Sequence, residues 1–240
     1  MSVSVFALGS LPDIAGLRRL HGLPAALSDS EVAEFAFQRR RAEAGHDLLA
    51  PHACAFAAFA VARIDTEGRF SLQAASHAEL ADEAALIGAC LAALAHDSAP
   101  LAWSEHEASL ANLRLRALQA GLVAAPGWLR LTGGAFIGHH LAAPSDAPDL
   151  SAMARLCGLP LATGFDAGQL WRRTLAGDAG AAREDVMLRA VVTCVLALRH
   201  AVLQGECSPA LQARAHTDLR AWLAHRDEPA LAAFGAAWGG

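Results

Sequence analysis

The chain has 240 residues, of which 54% are hydrophobic and 18% are charged, and its formal net charge is −5 at pH 7. This length suits one α/β domain with an additional helical segment, and the apolar content is sufficient for a core. The acidic balance argues against a non-specific nucleic-acid binder, because such domains are usually basic. All 19 basic residues are arginine, a bias typical of a GC-rich coding sequence.

The five cysteines are far apart in the sequence and form no C-x-x-C pair. Their odd number and apolar surroundings predict buried free thiols in a reducing compartment. No stretch has the ~18 uninterrupted apolar residues of a membrane span, and the N-terminus lacks the pattern of a secretory signal. We therefore expect a cytoplasmic protein that has no contact with a membrane.

The chain opens with a strand that is followed by a long insertion. Val3–Leu8 begins with alternating β-branched and polar residues and continues with apolar ones, which predicts a strand. Within the insertion, Ser28 or Ser30 is placed to cap a helix that runs to about Ala44 and stops at Gly45.

The next segment predicts a β-hairpin followed by two helices and a short strand. The apolar run Ala53–Ile64, the turn DTEGR and the return strand Phe70–Ala75 form the hairpin. Helical spacing of apolar residues covers Glu79–Leu94. The stretch APLAW is a short buried strand that ends at Trp103, and a second helix covers Leu110–Gly121, with its glycine as C-cap.

The last part of the chain predicts a loop-rich segment, residues 121–148, and then helices. The predicted helices are Leu150–Leu156, Ala167–Ala176, Ala181–Leu203, Leu211–His225 and a short one near the C-terminus. This order of elements predicts an α/β fold of the ribonuclease-H-like type: a mixed five-stranded sheet with helices on both faces, followed by C-terminal helices. We assign residues 1–207 to this domain and residues 208–240 to a C-terminal helical extension packed on it.

Five stretches, in order across roughly residues 3–207, carry a resemblance to a known family. They are VF followed by LPD and LRRLHGLPAALSDSEVA; LAWSEHEASLANLRLRALQAGL; LSAMARLCGLP; GQLWRRTLAGD; and VVTCVLALRHAVLQGE. Together they resemble the predicted 3′–5′ exonucleases related to the proofreading domain of family B DNA polymerases. The resemblance implies four carboxylates that hold two Mg²⁺ or Mn²⁺ ions for phosphodiester cleavage, with a tyrosine that positions the attacking water.

The positions that correspond to the family's metal ligands carry other residues in this chain. Ala7 and Gly9 stand where the family's first strand has Asp and Glu, and Ser109 stands where the second block has Asp. On the last helix, Asp185 replaces the tyrosine and Arg189 replaces the final Asp. An arginine close to the metal positions repels a divalent ion by several kcal/mol even at a moderate effective dielectric. The resemblance therefore implies a degenerate member, a pseudoenzyme that has no metal ligands and no cofactor.

Other chemistry finds weaker support in the sequence. Glu105–Glu107, the stretch EHE, would form a new metal site only together with His139 or His140, and chance proximity is the simpler interpretation. Cys194 lies among apolar residues of a predicted helix, which favours core packing over a nucleophile. There is no G-x-S-x-G or P-loop motif.

Two hypotheses from different classes follow. In the first, Trp103, Arg114, Arg116 and Arg189 line a retained groove that binds single-stranded nucleic acid without cleaving it. In the second, the groove has closed, and the domain is a structural or interaction subunit with a protein partner. The clustering of arginines where the family's substrate lies slightly favours the first hypothesis, whereas the acidic net charge favours the second. A working exonuclease remains only if the alignment is wrong in several blocks.

Overall fold

An antiparallel sheet of three strands lies at the centre of the protein. The computed structural model describes residues 2–46, 48–95, 100–104, 110–122, 136–141, 146, 148–161 and 164–239. The strands are β1 (Val3–Pro12), β2 (Cys54–Ile64) and β3 (Phe70–Ser76), and β2 pairs with both neighbours in the order β1-β2-β3. The predicted first strand and hairpin are confirmed, and β1 runs past Leu8 to Pro12.

Among the described residues the sheet has three strands, and the predicted five are not present as strands. Val5 and Leu101 form an isolated parallel bridge, and Ala102 and Phe136 form another. The predicted strand APLAW is therefore reduced to a short contact on the free edge of β1. A helix begins at Ile137, and the backbone N–H groups of Ile137 and Gly138 donate to the carbonyls of Ala102 and Trp103, each at 3.0 Å.

Helices occupy most of the remaining described chain, in addition to a short 3₁₀ turn at Pro51–Ala53. Their bounds are α1 (Ile14–His21), α2 (Asp29–Ala44), α3 (Glu83–Leu94), α4 (Leu110–Gln119), α5 (Ile137–Leu141), α6 (Leu150–Leu156), α7 (Ala167–Leu175), α8 (Ala181–Leu203), α9 (Pro209–Leu223) and α10 (Pro229–Gly239). The bounds predicted for α6 and α8 are confirmed. The mixed α/β class is also confirmed.

Local capping explains where several helices begin and end. Ser28 caps α2 in a capping box with Glu31, and Gly45 ends the same helix at φ +77°. α3 begins at Glu83, later than the predicted Glu79, because Asp82 accepts a hydrogen bond from the backbone N–H of Ala85 at 2.8 Å. The prediction of α2 was correct because both of its ends carry strong local signals.

The two faces of the sheet bury separate sets of side chains. On β1, Val5 and Ala7 belong to the core under α8, whereas Phe6 and Leu8 belong to the core under α3 and α4. This alternation follows from the two-residue period of a strand. β1 is therefore covered on both sides, and α8 is the main helix that contacts it.

The C-terminal helices share the core of the α8 face. Leu219 on α9 and Leu231 and Phe234 on α10 are buried in the same cluster as α8. The backbone N–H of Phe70 on β3 donates to Asp218 on α9 at 2.7 Å. Among the described helices, α8 is long and apolar enough to cross a membrane, but 67% of its most apolar window is buried inside the protein. That burial is typical of a core helix.

Candidate functional site

Ala7 and Gly9, the two β1 positions that the resemblance aligns with the family's first acids, lie under α8. Ala7 is 5% exposed, and Gly9 is buried beside it on the same face of the strand. A Cβ atom placed on Gly9 would lie 2.9 Å from Cγ1 of Val186, which is closer than real Cβ contacts. The helix therefore approaches β1 so closely that a side chain at position 9 would have to displace Val186.

Asp185 and Arg189, the two α8 positions that the resemblance aligns with the family's Tyr and Asp, form an ion pair with each other. Nε of Arg189 donates to Oδ2 of Asp185 at 2.8 Å, and a second guanidinium nitrogen contacts the same oxygen. The two side chains are 15% and 14% exposed, and the guanidinium lies 5.8 Å from the centre of the Phe165 ring. The charge of Arg189 is thus neutralised by an acid one helical turn away.

Arg116 is held by two carboxylates from distant parts of the chain. Its Nη1 donates to Oδ2 of Asp13 at 2.6 Å, and its Nε donates to Oε1 of Glu83 at 2.7 Å. The same Glu83 oxygen accepts from the backbone N–H of Phe56 at 2.5 Å, and Asp13 caps α1 through the N–H of Gly16. The hydrogen bonding of Arg116 to the carboxylate of Glu83 is the main cause that raises the pKa of Arg116. This network joins β1, β2, α1, α3 and α4.

Trp103 is a core residue. It is 2% exposed, and its Nε1 donates to the carbonyl of Pro148 at 2.9 Å. Both the apolar ring and its one donor are therefore used inside the protein. This placement matches the simpler interpretation of the sequence, a tryptophan buried at the end of a strand, and it leaves no ring face for a nucleobase.

The remaining predicted residues are placed only in part. Arg114 is half-buried on α4. Ser109 and Glu105–Glu107 lie outside the described residues, as does the side chain of His139. His140 is exposed, and its ring lies 5.5 Å from that of His200.

Of the four residues predicted to bind nucleic acid, three are engaged inside the protein. Trp103 is buried, and Arg116 and Arg189 are each paired with carboxylates. A phosphate would have to compete with those acids for the guanidinium groups, so this arrangement does not favour a phosphate-binding groove. Within the described ranges, no group of three or more His, Cys, Asp and Glu side chains could hold a metal ion.

Sequence reasoning missed the acids that organise the structure. Asp13 carries a weak local signal, since an Asp that follows Leu-Pro and precedes an apolar helix is a good N-cap. Glu184 is 4% exposed and accepts from Nη2 of Arg173 at 2.5 Å and from the backbone N–H of Ala230 at 2.6 Å, so it ties α7 and α10 to α8. No periodicity could have found this contact, because its partners are far apart in the chain.

Comparison of the chain with protein-family models, with curated proteins and with solved structures found no match. The class that the fold defines is therefore a mixed α/β protein with an antiparallel sheet covered on both faces. The resemblance to exonucleases stays a prediction based on the sequence motifs.

Proposed function

We propose that this chain is a non-catalytic, ribonuclease-H-like domain whose metal-binding cleft has closed and which serves as a protein-interaction subunit. The observation that carries the proposal is the state of the former ligand positions. Gly9 is in close contact with α8, and Arg189 is paired with Asp185. A closed ion pair beside a tightly packed strand leaves no anionic cleft at these positions.

The two isolated bridges support the ribonuclease-H-like part of the proposal. Leu101 is parallel to β1 on the edge opposite β2, and Phe136 is parallel to Ala102 beyond it. The bridges extend the order β1-β2-β3 through Leu101 to Phe136, which supports a five-stranded arrangement with two of its strands reduced to single bridges.

Charge argues against both metal and phosphate at the α8 face. A divalent cation needs several anionic oxygen ligands, and the Arg189–Asp185 pair has no net negative charge to attract it. The carboxylate of Asp185 cancels the guanidinium charge that a phosphate would need. The closed pair therefore disfavours both nuclease chemistry and the retention of a nucleic-acid strand at this position.

The test is a nuclease and binding assay on the full chain. We expect labelled single-stranded and duplex DNA and RNA to stay intact with Mg²⁺ or Mn²⁺, and single-stranded oligonucleotides not to bind at low salt. Shortening that a chelator abolishes would overturn the proposal. Salt-sensitive binding that is lost in the double variant Arg114→Ala/Arg189→Ala would also overturn it. The control variant is Arg69→Ala/Arg172→Ala, which removes the same charge at two exposed positions.

A further inference from the structure

The insertion between β1 and β2 builds a small structure of its own. Pro12 and Cys54 are direct partners in the antiparallel pair, so a short turn would suffice to join the two strands. Instead, residues 13–53 form α1, α2 and the 3₁₀ turn, with a separate apolar cluster around Leu17, Val32 and Ala36. α2 packs mainly on α1. We call these residues the α1–α2 excursion.

A groove of about 360 Å³ runs between α1, α2 and the 3₁₀ turn. Leu17 and Ala36 form its apolar floor, and both are buried. This volume is at the lower end of the range of about 300–1,000 Å³ that is typical of binding pockets. The groove is open to solvent, so it suits side chains of a docked segment better than an enclosed small molecule.

The rim of the groove is basic. Arg39, Arg40, His21 and His52 line it, with Glu43 as its acid. Nε of Arg39 lies 2.7 Å from a carboxylate oxygen of Glu43 in an exposed ion pair. Such a pair contributes little to stability, so a carboxylate of a partner can replace Glu43 at low cost. Arg40 uses Nε to donate to the carbonyl of Leu48 at 3.1 Å, which holds the guanidinium at the rim. The rim is thus complementary to an acidic partner.

Large apolar side chains are exposed around the same groove. Leu20 is 56%, Phe35 is 38% and Leu48 is 42% exposed. Leu20 lines the groove, Phe35 lies 5.4 Å from the His21 ring, and Leu48 accepts the bond from Arg40. Exposed apolar residues rimmed by polar ones are typical of a protein-interaction site.

The walls of the groove are held in place before any partner arrives. The guanidinium of Arg18 on α1 donates to the carbonyls of Pro24 and Leu27 at 2.8 and 2.5 Å and contacts Asp29 at the start of α2. The connection between the helices is thereby fixed to α1. A groove with fixed walls costs less conformational entropy on binding than one that must first be ordered.

We propose that this groove docks an acidic, amphipathic segment of a partner protein, with apolar side chains on the floor and carboxylates on Arg39 and Arg40. The mode is the insertion of an apolar helix face into a groove, flanked by charge pairs. This inference rests on the proposed function, because it names the surface through which the interaction subunit acts.

The test is to select, from a displayed library, peptides that bind to the full chain. A displayed library of random helical peptides of about four turns is panned against the immobilised protein. We expect enriched sequences with apolar residues at helical spacing and with Asp or Glu beside them. Their affinity should fall more than about tenfold in Arg39→Glu/Arg40→Glu, because opposed like charges repel. Arg69→Glu/Arg172→Glu, which makes the same change in charge at exposed positions elsewhere, should bind as the unaltered protein does.

The outcomes separate this inference from the proposed function. No enrichment, enrichment of basic peptides, or unchanged binding to Arg39→Glu/Arg40→Glu would overturn the docking site and leave the closed cleft intact. Oligonucleotide binding that is lost in Arg39→Glu/Arg40→Glu would make nucleic acid the occupant and would overturn the docking of a protein segment. Oligonucleotide binding lost only in Arg114→Ala/Arg189→Ala would overturn the proposed function instead. Circular dichroism of each variant confirms that it is folded.

Discussion

Arg116 and Arg189 lie on helices that pack on opposite faces of the sheet, and each is paired with carboxylates. The partners of Arg116, Asp13 and Glu83, come from distant parts of the chain, whereas Asp185 is on the same helix as Arg189, one turn earlier. The first arrangement joins separate elements, whereas the Arg189–Asp185 pair joins neighbouring turns of one helix. An arginine in a sequence therefore says little about its role until the origin of its partners is known.

The largest effect should follow the removal of Arg116. Arg116→Ala leaves the carboxylates of Asp13 and Glu83 without their cation, and the Asp13 side chain is only 10% exposed. We expect the free energy of unfolding to fall by about 3 kcal/mol, because a charge left in a mostly buried place is costly. Urea denaturation measures the loss.

The matched control for this prediction is an exposed arginine pair. Arg69 contacts Glu67 at 2.7 Å, and both side chains are mostly exposed. Arg69→Ala should therefore change stability by less than about 1 kcal/mol. Equal losses in the two variants would contradict the view that Arg116 joins the elements of its face.

A substitution at Gly9 tests how closely α8 packs on β1. Gly9→Ala places a Cβ 2.9 Å from Val186 and should cost about 1–3 kcal/mol through overpacking. Gly88 in α3 has no heavy atom within 4 Å of its added Cβ, so Gly88→Ala should be neutral or stabilise by up to about 1 kcal/mol. If Gly9→Ala were as well tolerated as Gly88→Ala, the close approach of α8 would be wrong. The combination with Val186→Ala should recover part of the loss in a double-mutant cycle.

A smaller effect should come from the local pair on α8. The coupling energy between Arg189→Ala and Asp185→Ala should be about 1 kcal/mol, since pairs one helical turn apart contribute modestly. A double-mutant cycle in urea measures it. A coupling energy as large as the stability lost in Arg116→Ala would contradict the view that Arg189 contributes less to stability than Arg116.

The smallest expected effect is on the pH dependence of stability, and it involves His216 on α9. Burial lowers the pKa of His216 below its usual 6.5, and the nearby cations Arg199 and Arg220 lower it further. Because the folded protein favours the neutral ring, this contribution is fully present above about pH 6.5 and is lost as the pH falls through the lower pKa of the folded state. His216→Gln should therefore flatten the pH dependence of stability between about pH 7 and pH 5. His46→Gln, at an exposed histidine of the α1–α2 excursion, is the matched control, and an unchanged slope in His216→Gln would contradict the prediction.

Local signals in the sequence were enough for most of the elements. The capping box at Ser28, Gly45 after α2 and the DTEGR turn predicted their structures because each acts within a few residues. α1 was missed, although Asp13 caps it. The strand that ends at Trp103 was overestimated, because an apolar stretch does not reveal how many residues will pair with a neighbour.

The sequence predicts which chemical groups the candidate site contains, but not how they are arranged. The sequence alone determined that Ala7, Gly9 and Arg189 supply no anion, because the identity of a side chain decides whether it can hold a metal ion. Only the tertiary structure decided that Trp103 is buried and that Arg116 is bound to Asp13 and Glu83. Burial and ion pairing depend on distances between residues far apart in the chain, and those distances exist only once the helices pack on the sheet.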